Sequence, residues 1–159
     1  ALALALALAL DLDLDLAPPS FMPLPHARIK STPEDFLVEE LPAYLPSGNG
    51  DHLFVRFTKR NLTTPHAVGT IANAVGVHPR DVGVAGLKDK VGVTTQWISL
   101  PAPRGDASFD DRVRALSLDG VTIHEAARHE NKLKTGHLAG NRFAVHPKRH
   151  AESRKRGSP

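Results

Sequence analysis

The clearest hydrophobic pattern runs from Asp51 to Lys59 (DHLFVRFTK), where Leu53, Val55 and Phe57 alternate with polar neighbours and so share one face of a half-buried strand. A second, shorter strand is expected at Asp35 to Glu40 (DFLVEE), after the turn residues Ser31-Thr32-Pro33. The period then changes. Thr63-Thr64-Pro65 offers a hydroxyl cap and a proline suited to the first helical turn, and Val68, Ile71, Ala72 and Val75 fall on one helical face before Gly76 ends it. Further strands are expected at Val82 to Ala85, Val91 to Leu100 and Val121 to Ala127. The segments between them are turn-rich: Pro46 to Gly50, Pro79-Arg80-Asp81, Gly86 to Lys90, and a Pro/Gly/Asp-rich connection over Pro101 to Asp111. Lys132 to Val145 resembles a hairpin turning near Gly140-Asn141. Strands interrupted by a helix, with hairpins elsewhere, predict an α+β fold: a mixed or antiparallel sheet with packed helices over residues 28–146.

The ends follow other rules. Residues 1–27 form a low-complexity leader, in which ALALALALAL and DLDLDL alternate like a strand but are rich in helix formers. The apolar run is too short for a bilayer, which takes about 20 residues, and no basic segment precedes it as in a signal peptide. The only methionine is Met22, and the expectation is that the natural start lies near it rather than at Ala1, with residues 1–21 an upstream extension. Residues 147–159 (PKRHAESRKRGSP) are basic and without apolar period, as in a disordered tail or a phosphate-binding arm.

Composition adds limits. A chain of 159 residues, 41% hydrophobic and 23% charged, suits one domain with a core, and 5% aromatic content makes that core mostly aliphatic. The absence of cysteine excludes disulfides and thiolate zinc sites. A net charge of +3 and a pI near 9.5 suit a polyanionic partner without requiring one. The nine histidines are scattered without ligand spacing, so no metal is expected.

Two segments carry candidate chemistry. In Ala85-Gly86-Leu87-Lys88-Asp89-Lys90 a strand ends at a glycine and a carboxylate sits between two lysines, which favour its ionised form as a nucleophile or base. The same residues also suit a solvated β-turn, and they lack the Gly-Lys-Ser/Thr of a phosphate loop. In Gly136 to Phe143 (GHLAGNRF) Asn141 and Phe143 lie two apart and share a strand face, so an amide could read a base edge beside an aromatic that stacks on it; a turn with a buried Phe is the plainer alternative. Lys59, Arg60, Lys132, Lys134 and Arg142 could hold a nucleic-acid backbone or form a solvated face.

Taken together, three segments resemble motifs of the TruD pseudouridine synthase family, in its order and at its approximate spacings. They are IKSTPEDFLVEE (Ile29 to Glu40), VAGLKDKVGVTTQ (Val84 to Gln96) and HENKLKTGHLAGNRF (His129 to Phe143). The resemblance covers residues 28–145, about three quarters of the chain. It implies a cofactor-free isomerisation of a uridine in transfer RNA, position 13 in the bacterial members, to pseudouridine, in the cytoplasm and away from any membrane. It implies Asp89 as the catalytic aspartate, with its covalent or acid/base part left open. Phe36 and Asn141 match base-contacting positions, Phe143 a nearby aromatic, and Lys88 an electrostatic partner of the aspartate. Members of that family are more than twice as long, so a C-terminal half with its later motifs is expected to be missing, leaving an exposed apolar face or edge. Weak or no activity alone is then expected. A non-catalytic basic RNA-binding fragment is the main alternative, and a reading frame that does not fold stably is the other.

Overall fold

The computed structural model describes residues 32–146 and, in backbone only, Ala27–Arg28 and Lys148–Arg149. The low-complexity leader, Met22 and the basic tail lie outside the described residues apart from those two short strands, β1 (Ala27–Arg28) and β8, which pair antiparallel. Thr32 caps a 3-10 turn at Pro33–Asp35, its N–H donating to Asp35 Oδ2 at 2.8 Å. The strands that follow are β2 (Phe36–Pro42), β3 (His52–Arg60), β4 (Gly83–Val84), β5 (Val93–Pro101), β6 (Val121–His129) and β7 (Leu138–Val145), with helices α1 (Thr64–Val75) and α2 (Ala107–Arg114). They form one mixed sheet in the order β6-β3-β5-β2-β7, with β4 added to β5. Only β2 and β5 run parallel; every other pair is antiparallel. The fold is therefore α+β, as the sequence pattern indicates.

The alternation in β3 sets the core. Leu53, Val55 and Phe57 are fully buried and pack under the helices with Ile98 and Leu100 of β5 and with Ala67, Val68, Ile71 and Ala72 of α1. Each large apolar side chain so buried contributes roughly 1.5–3 kcal/mol. A smaller cluster of Phe54, Ala85, Trp97 and Leu133 occupies the other face. α1 forms where its caps predict: Thr63 accepts from His66 N, and Gly76 takes the left-handed conformation, φ 78°.

Two expectations are corrected. The connection over Pro101 to Asp111 is not irregular throughout, because α2 begins within it at Ala107, capped by Asp106, whose carboxylate accepts from Phe109 N at 3.1 Å. The helix buries only Phe109 and Val113 among its apolar residues, too few to give a visible period. Nor is Lys132 to Val145 a hairpin. Gly140 and Asn141 lie inside β7, facing Leu41 and Glu40 across an antiparallel ladder with β2, and the turn falls earlier, at Thr135-Gly136, where Gly136 has φ 90°. The long-range partner β2 overrides the local Gly-Asn turn preference. Among the described residues β7 ends the main sheet, and its Phe143 and Val145 are exposed. No helix among them is long and apolar enough to cross a membrane.

Candidate RNA-binding and catalytic site

The site arises where the central strands part. β2 pairs with β5 over only three residues, Leu37 to Glu39 against Val93 to Thr95, and β4 takes over that edge of β5 at Ile98 and Ser99. Between them the N–H of Trp97 has no strand partner and donates instead to Glu40 Oε1 at 3.2 Å. A buried amide without an acceptor would cost about 1–3 kcal/mol, so the carboxylate fills a structural need. Glu40 Oε2 faces Lys88 Nζ at 2.9 Å, the two side chains 1% and 8% exposed; they meet as an ion pair rather than as an aligned hydrogen bond. Lys88 is thus turned inward, not flanking Asp89 in solvent.

The loop from Gly86 to Gly92 is tied down by residues distant in sequence. Thr64, the first residue of α1, accepts from Lys88 N at 2.9 Å and donates to Gln96 Oε1 at 3.1 Å. Lys59 donates to the backbone carbonyl of Asp89 at 2.6 Å, and Asn61 N donates to Gly92 O at 3.1 Å. Gly92 needs its freedom: at φ 130° it lies so close to Phe36 that an added Cβ would come within 2.6 Å of that carbonyl. Burial pushes the Lys59 amine down to about 8, with the Lys88 charge adding to the shift and the Asp89 carboxylate opposing it.

Strand alternation brings the remaining side chains over this loop. Asn141 stands opposite Glu40, Phe143 opposite Val38, and Phe36 opposite Val145. The Phe36 and Phe143 rings lie 6.1 Å apart, tilted by 34°. Phe36, Lys88, Asp89, Asn141 and Phe143 line one pocket of about 200 Å³, together with Val38 and Leu87. All five residues singled out in the sequence therefore converge, from three separate segments. Asp89 is exposed at its mouth, and Phe143, at 59% exposure, is not the buried turn residue of the plainer alternative. The pocket is below the size of drug-sized ligand sites and suits one flat ring.

The basic residues divide. Lys59 is fully buried, which removes it from any solvated or backbone-binding face. Arg60 pairs with Glu34 at 2.7 Å, while Arg142 and Arg56 both reach Glu39, at 3.0 and 2.9 Å. Lys132 and Lys134 line a different pocket. Glu40, Lys59 and Thr64 are parts of the site that motif reading did not single out, although alternation places Glu40 with Phe36 and Val38, and Lys59 with Leu53, Val55 and Phe57. Among the described residues no three His, Asp or Glu side chains are grouped to hold a metal. A separate cavity of about 720 Å³ lies at the other end of β3, where Arg128 is occupied by Asp110 at 2.6 Å and by backbone carbonyls of Ala102, Pro103 and Asp106.

Residues 23–157 match the family model for tRNA pseudouridine synthase D (TruD). A tRNA pseudouridine synthase D from an Anaeromyxobacter strain is 51% identical over 117 residues, which are 74% of this chain and 32% of that protein. One from a Geobacter strain is 51% identical over 119 residues, 74% of this chain and 28% of the relative. The crystal structure of the putative tRNA pseudouridine synthase D from Methanosarcina mazei superposes with a TM-score of 0.67 at 28% identity, covering 74% of this chain and 26% of that one. The chain spans about a third of the length of the curated relatives it matches. Three ordered motifs, their convergence on one pocket and these matches lead to one assignment: the chain belongs to the tRNA pseudouridine synthase D (TruD) family.

Proposed function

We propose that the chain carries the uridine-binding, aspartate-bearing part of a transfer RNA pseudouridine synthase site that works in the cytoplasm. The observation that carries this reading is the convergence of Phe36, Lys88, Asp89, Asn141 and Phe143 on one pocket. A uridine drawn out of its RNA setting lays its base against the Phe36 and Phe143 rings, with the Asn141 amide at the base edge. Asp89 then serves the isomerisation as the catalytic carboxylate, in covalent or acid/base form. In that reaction the bond from C1′ to N1 of the base breaks, the base turns, C1′ joins C5, the C5 proton leaves and N1 takes up a proton, so the product is an isomer of the substrate. Lys88 holds the loop through Glu40 and supplies positive charge behind Asp89.

The openness of the pocket favours a second component to this reading. With Phe143 59% and Leu87 72% exposed, the site lacks the dry enclosure that strengthens catalytic electrostatics. RNA binding with slow turnover is the expected behaviour of this chain alone. The test is tritium release from transfer RNA labelled with 5-³H-uridine, with transfer RNA binding measured alongside. Salt-dependent binding and a low release rate that vanishes in Asp89→Ala, with binding retained, are expected. Turnover that survives Asp89→Ala sinks the assignment of the catalytic residue, and binding with no release in any variant favours a non-catalytic RNA-binding role.

A further inference from the structure

The first half of the third motif, His129 to His137, takes no part in the Asp89 pocket. It lines a separate pocket of about 470 Å³ with Tyr44, Leu45, His129, Lys132, Lys134 and His137 around it. The walls are of two kinds. One is an aromatic platform: His129 stacks on Tyr44 with centroids 5.2 Å apart and 30° between planes, and buried Phe54 closes a three-ring cluster, its centroid 4.7 Å from His129 and 6.2 Å from Tyr44. Two hydrogen bonds fix its parts. Tyr44 Oη and His137 Nδ1 are 2.7 Å apart, and Ser47 N donates to His129 Nδ1 at 3.2 Å. The other wall is cationic. Lys132 runs its stem across Gly83, where a Cβ would meet Lys132 Cγ at 3.0 Å, and Lys134 is exposed. No carboxylate lines this pocket among the described residues.

Aromatic rings beside cations are the two components by which proteins hold single-stranded nucleic acid: stacking for the base and charge for the backbone. The pocket is also coupled to the Asp89 loop. Gly136 N donates to Ala85 O at 2.9 Å, one residue before the loop begins, and an added Cβ on Gly86 would meet Leu138 at 3.4 Å. His137 directly precedes β7 and Asn141 lies four residues on, at most about 13 Å away at the usual rise of a strand.

We propose that this pocket is a second RNA subsite, in which a nucleotide flanking the target uridine stacks on the Tyr44–His129 platform while its phosphate lies between Lys132 and Lys134. The subsite rests on the reading of the Asp89 pocket as a uridine site, which it deepens by saying how the neighbouring strand is held.

Lys132→Gln/Lys134→Gln keeps the Cβ and Cγ of each stem and removes both charges, and Tyr44→Leu removes the stacking ring but keeps apolar bulk; each is checked first for a cooperative melt. Binding of transfer RNA is measured across salt concentration, and RNA carrying 4-thiouridine is crosslinked and mapped. The double lysine variant is expected to lower the slope of log K against log salt by about 0.7, the amount for one phosphate contact on a single strand. Tyr44→Leu is expected to bind about tenfold more weakly, the order of one lost base stack. Crosslinks are expected at Tyr44, His129 or His137 as well as at Phe36 or Phe143. An unchanged slope with crosslinks confined to Phe36, Asn141 and Phe143 overturns the subsite and leaves the uridine pocket standing. Crosslinks at Tyr44 and His129 with none near Asp89 support the subsite and overturn the uridine pocket. Equal, lysine-dependent binding of a polyglutamate peptide overturns the RNA assignment in favour of an acidic protein partner, and a chain that binds no RNA overturns it outright.

Discussion

Substituting Lys88→Met would strand the Glu40 carboxylate, 1% exposed, with the Trp97 N–H as its remaining polar contact. Removing one partner of a buried ion pair costs about 3–5 kcal/mol, a large share of the roughly 5–15 kcal/mol that holds a domain together. Glu40→Gln is milder. It keeps an acceptor for Trp97 and leaves the Lys88 ammonium on a flexible stem that can swing toward the open pocket, at about 1–3 kcal/mol. If the two charges are coupled, the double variant has no stranded charge and retains the Trp97 hydrogen bond. It should then cost about 1–3 kcal/mol, well below the roughly 4–8 kcal/mol obtained by adding the single losses. Urea unfolding followed by circular dichroism and by the fluorescence of Trp97, the only tryptophan, reads all four proteins. Unchanged m-values would license the comparison. Single costs that add to the double within about 0.5 kcal/mol would refute the coupling, and with it the claim that Glu40 draws Lys88 into the sheet.

Thr64→Val removes an acceptor from Lys88 N and a donor from Gln96, and should cost about 1–3 kcal/mol in urea unfolding while speeding amide exchange at Lys88. Gly92→Ala puts a Cβ against Phe36 at φ 130° and should destabilise by about 1–3 kcal/mol while weakening uridine binding, read by the melt and by RNA titration. Lys59 has a folded pKa of about 8 against 10.5 for the ordinary amine, so between these values the unfolded chain holds a proton that the folded chain has released. Stability should therefore rise as pH goes from about 8 to 10.5, with the penalty fully present below 8, and Lys59→Met should flatten that rise in pH-dependent urea melts.

What the sequence exposed and what it hid follow from range of interaction. β3 and α1 could be read because their evidence is local: alternation through Leu53, Val55 and Phe57, and a cap, an apolar face and a glycine stop within a few turns. α2 was hidden because two apolar residues and an Asp106 cap are too little pattern against a background of Pro, Gly and Asp. β7 is masked locally because Gly140-Asn141 favours a turn, whereas its pairing partner Glu40 lies about a hundred residues earlier in the chain. The motif residues Phe36, Lys88, Asp89, Asn141 and Phe143 line one pocket. Their support was not visible, since a lysine at the end of an alternating strand looks the same whether Lys59 is solvated or turned under a loop.

The position of Asp89 is a consequence of sheet topology more than of loop propensity. Had β2 continued alongside β5 past Glu39, the backbone of β2 would have satisfied Trp97 N, and Glu40 would have had no cause to turn inward. Without that buried carboxylate a lysine at 88 would gain nothing by entering the interior, because an isolated buried ammonium is strongly disfavoured. The parting of the strands thus draws in Glu40, Glu40 holds Lys88, and the next residue, Asp89, is left at the pocket mouth facing the side chains of β7. Lys59 secures that position through the backbone carbonyl of Asp89, so this hold does not depend on which side chain residue 89 carries. Loss of turnover in Asp89→Ala with an unchanged melt would therefore report on the carboxylate's chemistry, since the loop's tethers at Lys88, at the residue 89 carbonyl and at Gly92 all remain in that variant.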